Sequence, residues 1–302
     1  MRLHKPVLAQ EVIEGLHIKN QASYIDATLG TGGHAEKIIQ KGGRVLGIDA
    51  DVYMVKLARE RLTKACSVLN RSVKDYVTIV HGNFKDINNI AKKLGFTDVG
   101  GVLFDLGVSS LHFEDSSRGF SFRKKDAQLD MRLDSESQNI KASDLLNLLR
   151  SDQLVDLFSN VVSFSTAKEI ADLVVQKRSE GKIETVGDFL NLLERVHGLS
   201  RGSSKVHLAT KPFMALRIAV NSELDNLKQG LRGAFRLLDS QGRLVVISFH
   251  SGEDTLVKKY FRKLQKEGAA RAVGKQPIVP TEKEIAKNPR ARSAKLRIIE
   301  KV

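Results

Sequence analysis

Three aspartates and a glycine turn in the first third of the chain have the types and spacing of a ligand site. Asp26, Asp49 and Asp105 each end an apolar run, and the glycine-rich turn 30–33 follows the first of these runs. Carboxylates accept hydrogen bonds from hydroxyl and ammonium groups, and glycine lets a ligand approach the backbone closely. The combination predicts a site for a polar or anionic ligand where a strand passes through a turn into a helix.

The elements that must position these residues alternate between strand and helix. Short apolar runs separated by amphipathic segments predict a parallel, doubly wound, Rossmann-like α/β sheet. Ligands bind such sheets at the carboxyl ends of the strands, so Asp26, Asp49, Phe84 and Asp105 are expected at one edge. The predicted strands of this half are 22–27, 44–49, 76–84 and 101–105.

Asp49 and Phe84 each have a second interpretation. Asp49 lies about 20 residues beyond the glycine turn, where Rossmann-like sites place a carboxylate that binds ribose hydroxyls. It could instead cap the helix that begins at Val52. Phe84 could pack against an adenine ring or fill the core.

The pattern changes after residue 112 and returns near residue 206. Residues 111–134 show no sustained periodicity, and residues 142–198 show short helical patterns and no strand. We therefore predict a helical insertion at residues 113–205. Residues 1–112 and 206–302 then form one discontinuous α/β domain. The further predictions in its second part are a buried strand near the sheet centre at 242–249, a basic helix at 253–266, a polar loop at 268–288 and an antiparallel edge strand at 293–300.

The formal net charge of +14 indicates a polyanionic partner, most simply nucleic acid. The excess is largest in the segment 258–297, which holds thirteen Lys or Arg and three acidic residues. The alternative is a solvated basic surface without a partner. A single cysteine, Cys66, suits a reducing cytoplasm, and no apolar run is long enough to span a membrane. The histidines do not fall into a zinc spacing, so no metal is expected.

The spacing of Gly30, Gly32 and Ala35 fits dinucleotide-binding enzymes and enzymes that use S-adenosylmethionine (SAM) equally well. A dehydrogenase should add an acid–base pair, but His250 is the only evident candidate and has no paired lysine. The turn also lacks the Gly-Lys-Ser/Thr ending of a P-loop. SAM fits better, because Asp26 could accept from its ammonium group and Asp49 from its ribose.

A series of motifs runs in order from residue 4 to residue 297. They are HKPVL, DATLGTGGHA, GIDAD, HGNF, DLGVSS, RGFSF, LDMRLD, ATKPFMALRIAVNSEL, GRLVVISFHS-x-ED and NPRARSAKLR. The combination of DLGVSS, RGFSF, NSEL and SFHS-x-ED is very specific. The series resembles that of the RsmH (MraW) family, the bacterial 16S rRNA (cytosine-N4)-methyltransferases.

The resemblance implies a SAM-dependent enzyme that methylates the exocyclic N4 of a cytidine in the decoding region of small-subunit rRNA. It implies the 30S subunit or its RNA as the partner, no membrane, and a cytoplasmic location. Whether the enzyme is a monomer or a homodimer stays open. The resemblance implies cofactor contacts from Gly32, Gly33, His34, Asp49, Phe84, Asp105 and His112, the last in place of the family's usual glutamine. Asp26 and Gly30 are added to this set from the strand and the glycine turn.

Methyl transfer to N4 needs acceptors for the N4 hydrogens, because positive charge develops on a nitrogen whose lone pair is delocalised into the ring. Asp105 with a hydroxyl of Ser109 or Ser110 is the predicted acceptor set. In the alternative, Asp105 only anchors SAM and the serines only cap a turn. His250, at the end of the fifth strand, is a further catalytic candidate.

The predicted substrate-binding residues are Arg118, Phe120, Phe122, Asp130, Arg132, Asn221 and Glu223. Arg118, Phe120 and Phe122 are expected to clamp phosphate and stack on a base, and the alternative is an internal ion pair with core aromatics. Asp130 and Arg132 contact the substrate or pair with each other. Asn221 and Glu223 contact the cytosine edge or cap the helix that begins at Ser222. A cytosine inside a duplex cannot reach such a site, so the target is expected to be unpaired or flipped.

Two other functions stay open. One is a methyltransferase that acts on another nucleic acid or on a protein. The other is a catalytically silent RNA-binding assembly factor that keeps the SAM fold. The intact glycine turn, with Asp49 and Asp105, argues against the silent factor.

Overall fold

The computed structural model describes residues 5–199 and 207–302. Its contacts divide the chain into an α/β unit, Met1–Gly107 with Leu224–Val302, and a helical unit, Val108–Glu223. The predicted insertion falls inside the helical unit. Its residues 200–205, like His4 of the HKPVL motif, lie outside the described residues.

The α/β unit is built on one seven-stranded sheet in the order β3-β2-β1-β4-β5-β7-β6. Strands β1 to β5 run parallel, β7 runs antiparallel to β5, and β6 runs antiparallel to β7. The predicted doubly wound α/β fold is confirmed. The strands are β1 (Ser23–Asp26), β2 (Arg44–Asp49), β3 (Val77–His81), β4 (Val99–Asp105), β5 (Leu238–Ser248), β6 (Ala270–Ala272) and β7 (Lys295–Lys301).

The register brings the three aspartates to one edge of the sheet. Asp26 is opposite Gly47 of β2 and Leu103 of β4, so Asp49 and Asp105 each lie two residues further along their strands. The strand order reverses between β1 and β4, which is the switch point where open α/β sheets bind ligands.

Two predictions for the end of the chain are wrong. The segment 268–288, predicted as a polar loop, contains β6 and a short helix, Glu282–Lys287. Consequently β7 is not the edge strand, because β6 pairs with it on the outside. A three-residue strand such as β6 has no alternating pattern long enough to recognise in a sequence.

Helices cover both faces of the sheet, as a parallel sheet requires. Successive strand residues point to opposite faces, so Tyr24 joins one apolar core and Ile25 the other. Helices α1, α2 and α3 contribute to the first core, and α5, α12 and α13 to the second. The α-helices are α1 (Ala9–Leu16), α2 (Gly33–Gln40), α3 (Val52–Val68), α4 (Val73–Tyr76), α5 (Ile87–Lys93), α6 (Ser110–Glu114), α7 (Ala142–Leu148), α8 (Ser151–Ser159), α9 (Phe164–Glu180), α10 (Val186–Leu193), α11 (Thr210–Val220), α12 (Glu223–Leu237), α13 (Ser251–Lys266) and α14 (Glu282–Lys287).

The helical unit has a core of its own, in which buried residues of α7 to α11 meet. Phe158 of α8 and Phe189 of α10 stack there with ring centroids 6.1 Å apart. Extended pairing in the described part of this unit is limited to one isolated bridge between Gln128 and Thr185, in agreement with the predicted helical character. Across both units, none of the helices described is long and apolar enough to cross a membrane.

Candidate active site

Three aspartates end neighbouring parallel strands at the carboxyl edge of the sheet. Asp26 ends β1, Asp49 ends β2 and Asp105 ends β4. The charges of Asp49, Asp105 and His34 all act on Asp26. We call these four residues the edge cluster. The sequence placed its carboxylates together correctly, because parallel strands end on the same side of a sheet.

The turn between β1 and α2 requires glycine at two positions. Gly30 has φ 51° and Gly32 has φ 79°, values that residues with a Cβ rarely adopt. Helix α2 begins at Gly33, directly after the turn. Because Gly32 has no side chain, the first N–H groups of α2 have no side-chain cap and can donate to a ligand.

Asp49 holds the glycine turn in place. Its Oδ2 accepts from the Gly30 N–H at 2.6 Å, and its Oδ1 accepts from the Asp51 N–H at 2.9 Å. Asp51 is the residue that caps α3, through a 2.8 Å bond from the Tyr53 N–H. Asp49 is therefore not the helix cap. Each carboxylate oxygen has a second lone pair, so Asp49 can also accept from a ligand hydroxyl.

Asp26 is the most deeply buried carboxyl group of the edge cluster. Its side chain is 1% exposed, and its Oδ1 accepts from the Thr28 N–H at 3.3 Å. Burial raises the pKa of Asp26 to about 7, with His34 opposing the shift and Asp105 adding to it. Asp26 is therefore partly protonated at neutral pH, and a bound cation would favour its ionised form.

His34 and Asp105 present buried polar atoms that need partners. His34 Nε2 lies 3.4 Å from Asp105 Oδ2, but the pair lacks the alignment of a hydrogen bond. Among the described residues, neither ring nitrogen of His34 nor Oδ1 of Asp105 has a hydrogen-bond partner. Leaving a buried polar atom unpaired costs about 1–3 kcal/mol. Such a group of atoms indicates a place where a ligand completes the hydrogen bonding.

Thr28 is a site residue that the sequence reasoning missed. Its Oγ1 accepts from the Asp105 N–H at 2.6 Å, while its own N–H donates to Asp26. Thr28 therefore fixes the backbone of one aspartate and bonds the side chain of another. The only signal in the sequence was a hydroxyl residue between the end of a strand and the glycine turn.

Phe84 starts a short 3₁₀ helix after β3 and has a core role. Its half-buried ring packs edge-on against Phe104, with centroids 5.5 Å apart. A Cβ at Gly230 would approach that ring to 2.9 Å, so α12 packs tightly on it. One side of the Phe84 ring therefore packs in the core, as the second interpretation predicted. Contact of this ring with adenine stays a prediction.

His250 caps α13 at the end of β5. Its Nδ1 accepts from the Glu253 N–H at 3.5 Å, and Glu253 Oε2 accepts in return from the Phe249 N–H at 2.8 Å. His250 Nε2 lies 3.2 Å from Glu253 Oε1. These contacts give the ring a structural role, and its catalytic role stays a prediction.

Three predicted site residues open the helical unit. Ser109 caps α6, with its Oγ accepting from the Leu111 N–H at 3.4 Å, and Ser110 is the first residue of that helix. His112 is buried, with its ring 5.1 Å from that of Phe120. The turn-capping interpretation is therefore correct for Ser109. A hydroxyl acting together with Asp105 stays a prediction.

Arg118 and two phenylalanines of the RGFSF motif have partners inside the helical unit. Arg118 donates to the carbonyl of Arg132 at 2.7 Å and to that of the next residue at 2.9 Å. Its guanidinium also lies 5.5 Å from the centroid of the Phe120 ring, which is 5% exposed. Phe122 is half-buried and stacks on His207 at 4.3 Å. Of the two rings, Phe122 is the more accessible to a base.

Four substrate-binding candidates are tied to neighbours within the same unit. Asp130 and Arg132 form two 2.7 Å bonds with each other, which hold the pKa of Asp130 below its usual value despite burial. Asn221 is buried and bonds the backbone on both sides of Arg132. Glu223 pairs with Arg217 through bonds of 2.8 and 2.9 Å. These four residues therefore have structural roles inside the unit, and their contacts with substrate stay predictions.

Part of the basic segment 258–297 is structural. Arg297 and Lys295 pair with the buried carboxylate of Asp254, at 2.7 and 3.4 Å. Arg271 pairs with Glu300 at 2.6 Å. These cations neutralise carboxylates of their own unit, so a nucleic-acid contact must depend on the remaining ones.

The edge cluster fits the functional groups of SAM. The carboxylates of Asp26 and Asp49 suit an ammonium group and ribose hydroxyls, and the glycine turn allows close contact with the backbone. The unpaired atoms of His34 and Asp105 can bond further polar groups. When bound, SAM supplies an electrophilic methyl group on a positively charged sulfur.

The comparisons with known proteins decide the family. A family model described as the MraW methylase family matches residues 1–302. The chain belongs to the MraW methylase family. It is a SAM-dependent methyltransferase, and the resemblance carried by its motifs is confirmed.

Relatives of this MraW-family chain match it along almost its whole length. The proteins from Bacteroides fragilis and Dictyoglomus thermophilum are each 39% identical to it, covering 99% of the chain and 97% of the relative. The protein from Clostridium botulinum is 37% identical, covering 99% of both. All three are named Ribosomal RNA small subunit methyltransferase H.

Replacing Asp49 by alanine should weaken SAM binding by about 1–3 kcal/mol, or roughly five- to 150-fold. The carboxylate would no longer accept from a ribose hydroxyl or hold the Gly30 N–H. Calorimetric titration of SAM measures the change. Asp75→Ala, at an exposed carboxylate of α4, is the matched control. Equal affinities of the Asp49 variant and the native protein would refute the ribose assignment.

Proposed function

We propose that this MraW-family enzyme transfers the SAM methyl group to the exocyclic N4 of a cytidine in the decoding region of 16S, small-subunit rRNA. The observation that carries the proposal is the edge cluster, with its unpaired Asp105 and His34 atoms, in a chain 39% identical to proteins named Ribosomal RNA small subunit methyltransferase H. The net charge of +14 suits a polyanionic substrate.

Asp105 is the group best suited to receive the N4 hydrogens. Its side chain as a whole is 22% exposed, while its Oδ1 is buried. Its Oδ1 has no donor among the described residues, and Thr28 fixes its backbone. Cytosine N4 is a poor nucleophile, and a carboxylate that accepts from it stabilises the positive charge that develops on nitrogen. The carboxylate then receives the proton that N4 must release.

In this proposal, SAM binding and RNA recognition are divided between two domains. In the α/β domain, residues 1–112 and 206–302, Asp26, Asp49 and the glycine turn hold SAM. The helical insertion 113–205 recognises the RNA, with Phe122 as the ring that stacks on a base. The partner is the 30S subunit or its RNA, which places the enzyme in the cytoplasm. Either a monomer or a homodimer is compatible with this assignment.

The test is to incubate the protein with labelled SAM and small ribosomal subunits that lack the modification, and to map the product by mass spectrometry. Naked rRNA from the same subunits is run in parallel. Label on N4 of one decoding-region cytidine supports the proposal. Label on another nucleotide or on a protein would indicate a different methyltransferase, and SAM binding without transfer would indicate a silent assembly factor.

A further inference from the structure

The solvent-facing side of α13 carries cations and no exposed carboxylate. Its two acidic residues, Glu253 and Asp254, are 2% and 8% exposed. Glu253 accepts from the Phe249 N–H just before the helix, and Asp254 pairs with Arg297 of β7. The exposed charged residues of the helix are Lys258, Lys259, Arg262, Lys263 and Lys266.

The spacing of these cations gathers them into one stripe. At 100° and 1.5 Å per residue, they fall within an arc of about 140° and a length of about 12 Å. Pairs of like charge four residues apart, such as Lys258 with Arg262, destabilise a helix. A helix that keeps several such pairs, with no exposed acidic residue of its own, is better suited to an anionic partner than to folding alone.

Local structure accounts for only two of the five cations. Lys263 lies 3.7 Å from Glu267, and Lys266 is in the last turn, where the helix dipole favours positive charge. Lys258, Lys259 and Arg262 have no ion pair or side-chain hydrogen bond with any of the residues described.

Two exposed arginines of α12 lie close to Tyr260 of α13. Burial raises the pKa of Tyr260 on α13 to about 12, and the charges of Arg232 and Arg236 oppose that shift, which places both arginines beside α13. The basic face of α13 is therefore defined as the four exposed lysines and one arginine of α13 together with Arg232 and Arg236. It belongs to the same α/β unit as the edge cluster.

We propose that the basic face of α13 binds the phosphate backbone of RNA that flanks the methylated nucleotide. The choice of RNA rests on the proposed function. Helix α13 starts at Ser251, next to the carboxyl edge of the sheet, and Lys258 lies about 10 Å further along the helix. A strand whose backbone lies on this face can therefore extend to the edge cluster.

The buried side of α13 argues against a membrane as the partner. Val257, Phe261 and Leu264 are packed in the core of the α/β unit, at 0–6% exposure. A helix that binds a lipid surface must offer its apolar side to the acyl chains. The exposed side of helix α13 offers charged and polar groups, which suit phosphates in water.

The test compares two triple variants of the full chain, K258Q/K259Q/R262Q on α13 and K56Q/R59Q/K64Q on α3. The α3 cations are exposed, lie in the same unit and pack over the opposite face of the sheet, so the control removes the same charge. The probe is an unmodified small-subunit rRNA transcript, titrated at several salt concentrations. Thermal unfolding and SAM affinity are measured for both variants to show that the fold is intact.

The α13 variant is expected to bind RNA at least tenfold more weakly near physiological salt. The slope of log affinity against log salt should become shallower by about 2 to 3, since each lost phosphate contact removes about 0.7–0.9. The α3 variant should keep a slope within about 0.5 of the native protein, and SAM affinity should not change in either.

Equal effects of the two variants would overturn the proposal, because only the net charge would then matter. A salt slope of the α13 variant equal to that of the native protein would also overturn it. So would a third result, in which the α13 substitutions weaken binding to vesicles with 30% phosphatidylserine but leave RNA binding unchanged. Failure of the proposed function would give a different result. If the α13 substitutions changed the salt slope of RNA binding but the protein did not methylate N4 of cytidine, the RNA-binding face would be retained and the assigned reaction rejected.

Discussion

Replacement of Asp105 by asparagine is expected to slow methyl transfer at saturating SAM by about 10²- to 10⁴-fold. Asparagine keeps the size of the side chain and the backbone bond to Thr28, but its amide cannot take up the proton that N4 releases. Single-turnover transfer of labelled methyl groups to the unmodified subunit measures the rate. SAM affinity, titrated separately, should change by less than about fivefold.

The split between rate and affinity separates the two roles that Asp105 could have. If SAM affinity fell by the same factor while transfer at saturating SAM stayed normal, Asp105 would be an anchor for SAM and not the acceptor for N4. Asp98→Asn is the matched control, since Asp98 is exposed at the opposite end of β4. Its left-handed backbone, φ 54°, is one that asparagine tolerates, so it should leave both quantities unchanged.

Replacement of Asp26 by asparagine is expected to abolish the pH dependence of SAM binding below neutrality. In the native protein, burial raises the pKa of Asp26 to about 7, and His34, Asp105 and Asp49 also act on it. A protonated carboxyl group must lose its proton before it can bind an ammonium group as an ion. Native SAM affinity should therefore fall by up to about tenfold for each pH unit below 7.

Calorimetric titrations between pH 5.5 and 8.5 measure this dependence. At pH 8 the asparagine variant should bind SAM about ten- to 100-fold more weakly than the native protein, because a bond to a charged group is lost. If the variant retained the native pH dependence, the titrating group would be another residue and Asp26 would not contact the ammonium group.

Replacement of Asp26 by asparagine weakens SAM binding but is expected to stabilise the SAM-free protein. Burial raises the pKa of Asp26 above its unfolded value, so only the unfolded chain is ionised between about pH 4 and pH 7. The unfolding free energy therefore decreases as the pH rises through this window, and the loss persists above pH 7. At pH 8 the variant should be more stable than the native protein, on the order of 2–4 kcal/mol by denaturant titration. A less stable variant would contradict the assigned burial cost.

The edge where the ligand binds could be predicted from the sequence, for a physical reason. Parallel strands end on the same side of a sheet, so an aspartate after each apolar run specifies a common edge without any knowledge of packing. Glycines at 30 and 32 likewise marked the turn, because left-handed backbone is costly for other residues. The motifs that follow identified the family, which the match over residues 1–302 confirms.

The short elements at the end of the chain could not be predicted. β6 has three residues, and its pairing with β7 depends on backbone bonds that any sequence can form. The tight Thr28 contact with Asp105 also joins residues that are 77 positions apart. Such contacts depend on the register of two strands, which local patterns do not specify.

The sequence by itself determined the fold class, the family and the positions of Asp26, Asp49 and Asp105, since these follow from local periodicity and from chain order. Only the tertiary structure decided which charges are already used. It ties Arg297 to Asp254, Arg132 to Asp130 and Glu223 to Arg217, while Asp105 Oδ1 and both His34 nitrogens have no hydrogen-bond partner within the described residues. Whether a charged group is available for a ligand depends on its neighbours in space, which the order of residues in the chain does not reveal.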